Sequence, residues 1–397
     1  MLFAILAAGL LPPPPSRRTT QLPLQSTGAA FTPSSKYWCG VCTTGTEKKK
    51  QFSEHLAGKR HAEMVSAAER SWSAWQTSRW HDEQVPREAV TAAFSMNEFL
   101  SGLPVRTRSQ GGPRQRIGHA GTEGMIAPHL TVSALPAVKR AQLWRYLRDL
   151  MGDGHDSLPE LVAAVDDRYL RVKEILESAE VYRLAHKAIW AAGYEQSSRA
   201  QPSQELLAID TVYDVACGHG LVGLLLAYRF STLQVVSVDL VHRPAFDAWA
   251  CALGLSEEPR VAFQERPFEE AIDETQAHAR ALVLCVHGCN EVNLLAVRCA
   301  RRGGAGWLLV PCCLQVDAYL PASHSVRLSD EMRYALLCGA MASEYEATVV
   351  WALDSRITGR GIVLGGGPPL EHDLEARVST RPQFVCDSIS IERKYPP

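Results

Sequence analysis

The sequence predicts an α/β protein: a doubly wound sheet preceded by helices, with a small ββα-like zinc finger ahead of them. Three observations carry this. The stretch TVYDVACGHGLVG at residues 211–223 reads as buried strand, glycine-rich turn and apolar helix. Apolar runs such as ALVLCVH at 281–287 suit strands buried on both faces. Cys39-x2-Cys42-x12-His55-x5-His61 has the spacing of a tetrahedral zinc site.

The turn comes first because the rest of the chain is organised around it. Gly218, Gly220 and Gly223 fall in G-x-G-x-x-G spacing. The first permits a tight turn, the second admits a ligand close to the backbone, and the third lets the helix lie on the sheet. Asp214 lies inside the preceding strand, and the next strand, QVVSVDL, ends in Asp239. A carboxylate at that tip can accept hydrogen bonds from a ribose.

D-x-A-C-G-x-G-x-x-G followed by V-D at the next strand end resembles class I S-adenosylmethionine-dependent methyltransferases, whose sheet is Rossmann-like. The resemblance implies S-adenosylmethionine as cofactor, held by Asp214, Gly218, Gly220, Gly223 and Asp239, with Glu265 after the third strand near the adenine. It also implies that the helices before the first strand form a lid. Further strands are expected at 281–287 and 307–310, with an antiparallel pair at 348–353 and 357–364 joined by a short turn. The strand ends His287-Gly288-Cys289-Asn290-Glu291 and Pro311-Cys312-Cys313 resemble the eukaryotic tRNA 2′-O-methyltransferases and related methyltransferase-domain families. From that resemblance His287 and Asn290 are the candidate catalytic residues, positioning or deprotonating an acceptor. The alternatives are a helix cap at Asn290 and buried inert cysteines. A second metal held by His287, Cys289, Cys312 and Cys313 is a further reading of the same cluster.

Ahead of the sheet, residues 1–35 are apolar, then proline-rich, then hydroxylated and acid-poor, as in a disordered tail or an organelle-targeting leader. Ala29-Ala30-Phe31-Thr32-Pro33 resembles the cleavage motif of some plastid leaders. Residues 36–65 hold the finger, in which Phe52 and Leu56 would form a miniature core and Gly58 would let the helix bend between its histidines. Tyr37 and His-x2-Gly-Lys-x-His resemble matrin-type Cys2His2 fingers, which implies structural zinc on Cys39, Cys42, His55 and His61 and RNA as a partner. Lys48, Lys49, Lys50, Lys59 and Arg60 make the segment basic, and a protein partner docked by the finger is the alternative.

Residues 66–103 read as a helical extension in which Trp72, Trp75 and Trp80 either stack on bases or dock the helix on the body. Residues 104–129, with Arg106, Arg108, Arg114 and Arg116, read as a linker. Residues 130–200 read as the helical lid, with Leu161, Val165, Tyr169, Val172 and Leu176 forming one apolar stripe, and 201–397 as the catalytic domain.

Length and composition set the outer bounds. At 397 residues with 46% hydrophobic and 21% charged residues, the chain has ordinary globular composition. A net charge of −2 supplies no whole-molecule attraction to nucleic acid, so any such affinity must be local. Eleven cysteines without a regular framework point to a reducing compartment, nuclear or cytoplasmic, with an organelle as the alternative if the leader is real. No apolar run is long enough to cross a bilayer. Three functional readings follow: a methyltransferase acting on RNA, one acting on protein or small molecules, and an inactive cofactor-binding scaffold.

Overall fold

In the computed structural model, which describes residues 37–39, 44–106, 124–152, 155–197, 209–271, 280–288, 291–312 and 330–367, the first elements are two short antiparallel strands. These are β1 (Tyr37–Cys39) and β2 (Thr44–Thr46), with Tyr37 opposite Thr46. Helix α1 (Lys49–Ala57) follows, then α2 (Lys59–Thr77). Gly58 separates the helices in an extended conformation, so His55 ends one and His61 begins the other. Their rings still approach, with centroids 5.0 Å apart.

The expected zinc finger finds no support among the described residues. No group of three or more His, Cys, Asp or Glu among the described residues could hold a metal ion, and Cys42 lies outside those residues. The miniature core is missing as well: α1 has no buried residue and Leu56 is 44% exposed. A free-standing ββα unit needs either metal or core to hold it. Structural zinc on Cys39, Cys42, His55 and His61, and the finger as a separate unit, are therefore withdrawn. The expected RNA and protein partners fall with it. Lys50 and Lys59 lie 3.9 Å and 3.8 Å from Glu54 and Glu63 along their own helices. Trp75 and Trp80 are buried in the body instead of presented to bases.

Trp75 is the anchor of α2. It is fully buried and meets Trp144 edge-to-face, with ring centroids 5.4 Å apart. Short helices α3 (Arg87–Thr91) and α4 (Met96–Leu100) come next, the second capped by Ser95 Oγ accepting from the Glu98 amide at 3.3 Å. Helix α5 (Ala137–Leu150) carries Trp144 and the buried Arg145, whose guanidinium donates to Ser71 Oγ at 2.6 Å and to the Val90 carbonyl at 3.2 Å. One arginine on α5 thus satisfies groups on α2 and α3.

The expected single apolar stripe from Leu161 to Leu176 is broken into α6 (Leu158–Val162), a 3-10 turn at Asp167–Tyr169 and α7 (Val172–Ser197). The turn forms because Asp166 accepts from the Arg168 amide, a local bond that competes with helix.

The remaining elements alternate: β3 (Thr211–Val215), α8 (Leu221–Arg229), β4 (Gln234–Asp239), α9 (Pro244–Ala252), β5 (Val261–Glu265), α10 (Phe268–Ala271), β6 (Ala281–Val286), α11 (Glu291–Gly303), β7 (Gly306–Val310), α12 (Asp330–Glu344), β8 (Val349–Ala352) and β9 (Ile362–Gly366). The strands form one mixed sheet in the order β5-β4-β3-β6-β7-β9-β8, parallel except for β9. This is the Rossmann-like mixed sheet that the resemblance implies. Alternate residues of each central strand enter different cores. Val212, Leu282 and Leu308 face α7, α8 and the earlier helices, whereas Tyr213, Val283 and Leu309 face α11 and α12.

The β8–β9 pair is shorter than expected and its connection longer. Residues 353–361 form a loop in which Ile357 is buried, and its backbone binds the chain far upstream. The Ile126 amide donates to the Arg356 carbonyl at 2.8 Å, and the Arg356 guanidinium reaches Asp354 at 2.6 Å and Asn97 at 2.8 Å. At the sheet's outer edge all four residues of β8 are exposed. Among the described residues no helix is long and apolar enough to cross a membrane, and residues 1–36, including the expected leader, lie outside them.

If Trp75 docks α2 into the main core, Trp75→Ala should cost about 3–5 kcal/mol. Denaturant unfolding should show this as a lower midpoint of the main transition, and an unchanged midpoint would detach α2 from that core.

Candidate active site

Strands β4 and β6 flank β3 on opposite sides, so the connections leaving the ends of β3 and β6 diverge and open a crevice between them. The turn after β3 makes one wall. Ala216, Gly218 and Gly220 all have positive φ, at 52°, 59° and 65°. For Ala216 this is a strained conformation, held by the Cys217 amide donating to the Val238 carbonyl at 3.2 Å. A Cβ on Gly220 would lie 2.5 Å from Phe246 Cδ2, so this glycine serves close packing against α9. A Cβ on Gly218 would meet nothing within 4 Å, so it is here that the turn faces open space.

Asp214 and Asp239 play different parts. Asp214 is 2% exposed, and its Oδ2 accepts from the Gly223 amide at 3.1 Å. It binds the first turn of α8 to β3. Burial pushes its carboxyl up to about 7, against the lowering effect of the Gly223 amide, and the nearby Asp239 charge adds to the rise. Asp239, half-buried at the tip of β4, accepts from the Gly218 amide at 2.8 Å through Oδ2 and from the Val241 amide at 3.3 Å through Oδ1. Glu265 ends β5 directly opposite Asp239 in the ladder and is exposed. Beside it, Gln264 Oε1 is buried and accepts no hydrogen bond from a described group.

The other wall begins at His287, immediately after β6. Its φ of 59° is rare for a residue with a Cβ. Its amide donates to the Val310 carbonyl at 2.9 Å, and its own carbonyl accepts from Cys312 Sγ at 3.2 Å. Gly288 follows where a Cβ would collide with Cys285 Sγ, and its carbonyl accepts from the buried Asn293 side chain. Asn290 lies outside the described residues, as do Cys289 and Cys313, so the expected second metal cluster is represented only by His287 and Cys312.

Sequence reasoning missed the residue that faces His287. Glu177 of α7 is 4% exposed, and its Oε1 lies 3.2 Å from His287 Nε2 while its Oε2 lies 2.6 Å from Lys173 Nζ. Burial pushes the Glu177 carboxyl up, but the imidazole and ammonium beside it prevail and hold it at about 2. Lys and Glu four apart on a helix usually mark a solvated face. The signal lay in the neighbours, since residues 175–179 are buried around the whole helix. His219, in the glycine turn, accepts from the Leu221 amide at 3.2 Å, and burial foremost lowers its pKa.

Residues 183–316 match a family described as a methyltransferase domain, a span that runs from α7 through β7. This span, 134 of the 397 residues, has the fold of an S-adenosylmethionine-dependent methyltransferase domain. Similar solved structures include the antibiotic-resistance methyltransferase Kmr, at 16% identity over 40% of this chain and 87% of that one, with a TM-score of 0.28. An O-methyltransferase family protein from Burkholderia thailandensis is 18% identical over 57% of this chain and 70% of its own, with a TM-score of 0.26. The methyltransferase SibL is 21% identical over 48% and 58%, again with a TM-score of 0.26. Likenesses this distant say nothing of the substrate. No curated protein matches the chain.

The raised Asp214 pKa gives a stability prediction with a definite sign. The folded chain holds a proton there that the unfolded chain releases at lower pH, so this contribution is complete below about pH 4 and is lost as pH rises through about 7. Asp214→Asn keeps an acceptor for Gly223 without the charge. It should raise the unfolding midpoint at pH 8.5 and leave it unraised at pH 4, as thermal melts at the two pH values will read.

Proposed function

We propose that the chain binds S-adenosylmethionine in the crevice beyond β3, β4 and β6 and transfers its methyl group to a protein or small-molecule acceptor. The observation that carries this reading is the Asp239 carboxylate at the tip of β4, beside a turn that opens at Gly218. A carboxylate accepts two ribose hydroxyls well, and backbone at positive φ without a Cβ admits a ligand close by. The donor set fits the cofactor elsewhere too. Glu265 at the end of β5, and Gln264 Oε1, buried without a hydrogen-bond partner among the described residues, would serve as acceptors for the amino group of an adenine. Gly220 and Gly223 contribute by packing, since Phe246 and Asp214 fill the space their side chains would take. Asp214 acts from behind, by fixing the helix that carries the turn.

When bound, the cofactor supplies an already activated methyl group, so the protein's tasks are orientation, exclusion of water and removal of a proton. Orientation falls to Asp239 and the turn. On the opposite wall His287, with Asn290 as its proposed companion, would act on the acceptor.

Calorimetry with S-adenosylhomocysteine tests the cofactor site. Wild-type protein should bind, and Asp239→Ala should lose about 1.5–3 kcal/mol, tenfold or more in affinity. A folded variant with unchanged affinity would remove Asp239 from the site.

A further inference from the structure

Strand β8 ends the sheet, so one of its edges has no neighbouring strand among the described residues. Which backbone groups lie on that edge follows from the pairing with β9. The Leu353 amide donates to the Gly361 carbonyl at 2.8 Å, and residues along an antiparallel pair alternate between those that exchange such bonds and those that do not. Val349 and Trp351 therefore bond inward, to Gly365 and Val363, whereas Val350 and Ala352 turn their N–H and C=O groups to the outer edge. The Ile362 amide agrees with this: it lies opposite Ala352 but points away from β8, donating to the Tyr334 hydroxyl at 3.2 Å. Sheet edges are commonly guarded by charge or proline. Residues 347–353, ATVVWAL, contain neither. Isolated exposed apolar side chains are ordinary, but Val349, Val350 and Trp351 follow one another on this strand, 43%, 62% and 58% exposed.

We propose that β8 is a dimer interface, pairing antiparallel with β8 of a second copy of the chain across a twofold axis at Trp351. The occupant is chosen by self-complementarity, because a twofold contact must match one patch to itself. About an axis at Trp351, the outward N–H and C=O of Val350 meet the outward C=O and N–H of Ala352 in the second copy, and the same pair repeats on the other side of the axis. The two Trp351 side chains then face one another on one side of the sheet, at a position without ladder bonds, where cross-strand side chains come closest. Aromatic pairs there stabilise the pairing, and the strand carries no charge to meet its like. Area sets the strength. A tryptophan side chain brings about 150–250 Å², so Trp351 with Val349, Val350 and the strand edge removes several hundred Å² per copy, on the order of 1,000 Å² in total and at the low end for a specific interface. The dimer is therefore a weak one that exchanges with monomer. Strands β7 and β9 stand between β8 and β6, so the pairing edge lies apart from the crevice and the proposal does not depend on what the crevice binds.

Sedimentation velocity on the full chain over a range of concentrations reads the equilibrium. Wild type should pass from monomer to dimer as concentration rises. Val350→Pro removes an outward N–H and takes no bond from the β8–β9 ladder, since that amide does not face β9. Trp351→Lys sets two ammonium groups opposite one another at the axis. Each variant should keep the wild-type circular dichroism and stay monomeric at concentrations where wild type is dimeric. Should Val350→Pro not fold, Trp351→Lys decides alone. A wild-type chain that is monomeric up to its solubility limit would overturn the proposal and leave the edge to a strand of a different protein. A dimer that neither substitution weakens would overturn it as well.

Discussion

One hydrogen bond, from the Gly223 amide to the buried Asp214 carboxyl, fixes the geometry on which the rest of the crevice depends. It lashes the first turn of α8 to the strand before it, and the contact is so close that a Cβ on Gly223 would lie 2.9 Å from the same oxygen. With strand and helix held at that separation, the intervening turn has few ways to close. Three of its residues take positive φ, and the free face of Gly218 comes to lie beside the Asp239 carboxylate. This wall of the crevice is thus set from behind, by a group sealed away from solvent.

Much of this was legible in the sequence because it rests on local chemistry. Glycine at 218, 220 and 223, an acid inside β3 and another at the end of β4, and unbroken apolar runs for β6 and β7 each encode their own element. The sheet and the placement of Asp214, Asp239 and Glu265 followed from these. What failed was the reading of Cys39, Cys42, His55 and His61, where ligand spacing, a motif resemblance and an expected Phe52–Leu56 core were asked to predict a folded unit. Spacing says which side chains could converge, but Leu56 remains exposed and α1 buries nothing. The role of Glu177 was illegible for the opposite reason. An acid four residues after a lysine reads as surface until the helix is known to be buried on every side.

The helices before the sheet are more than a cover. Helix α7 contributes Ala179, Tyr182 and Ala185 to the same core as Val212 and Leu224, and through Glu177 it also reaches the end of β6. One helix therefore carries part of the core and one wall of the crevice. Any movement of α7 would break the contact between Glu177 and His287, which couples the packing of the helical region to the electrostatics at the strand ends.

The exposed edge strand β8 has a consequence for how the sheet is specified. A strand with one buried face resists slipping, because a shift of one residue would turn its apolar side chains to water. Val350 and Trp351, neighbours that point to opposite faces, are both exposed, so burial offers no such resistance. Alignment of β8 with β9 must come from the connecting loop, whose Arg356 is held by Asn97 and by the backbone of Ile126. The outermost strand of the sheet thus takes its alignment from residues that precede the entire sheet in the chain.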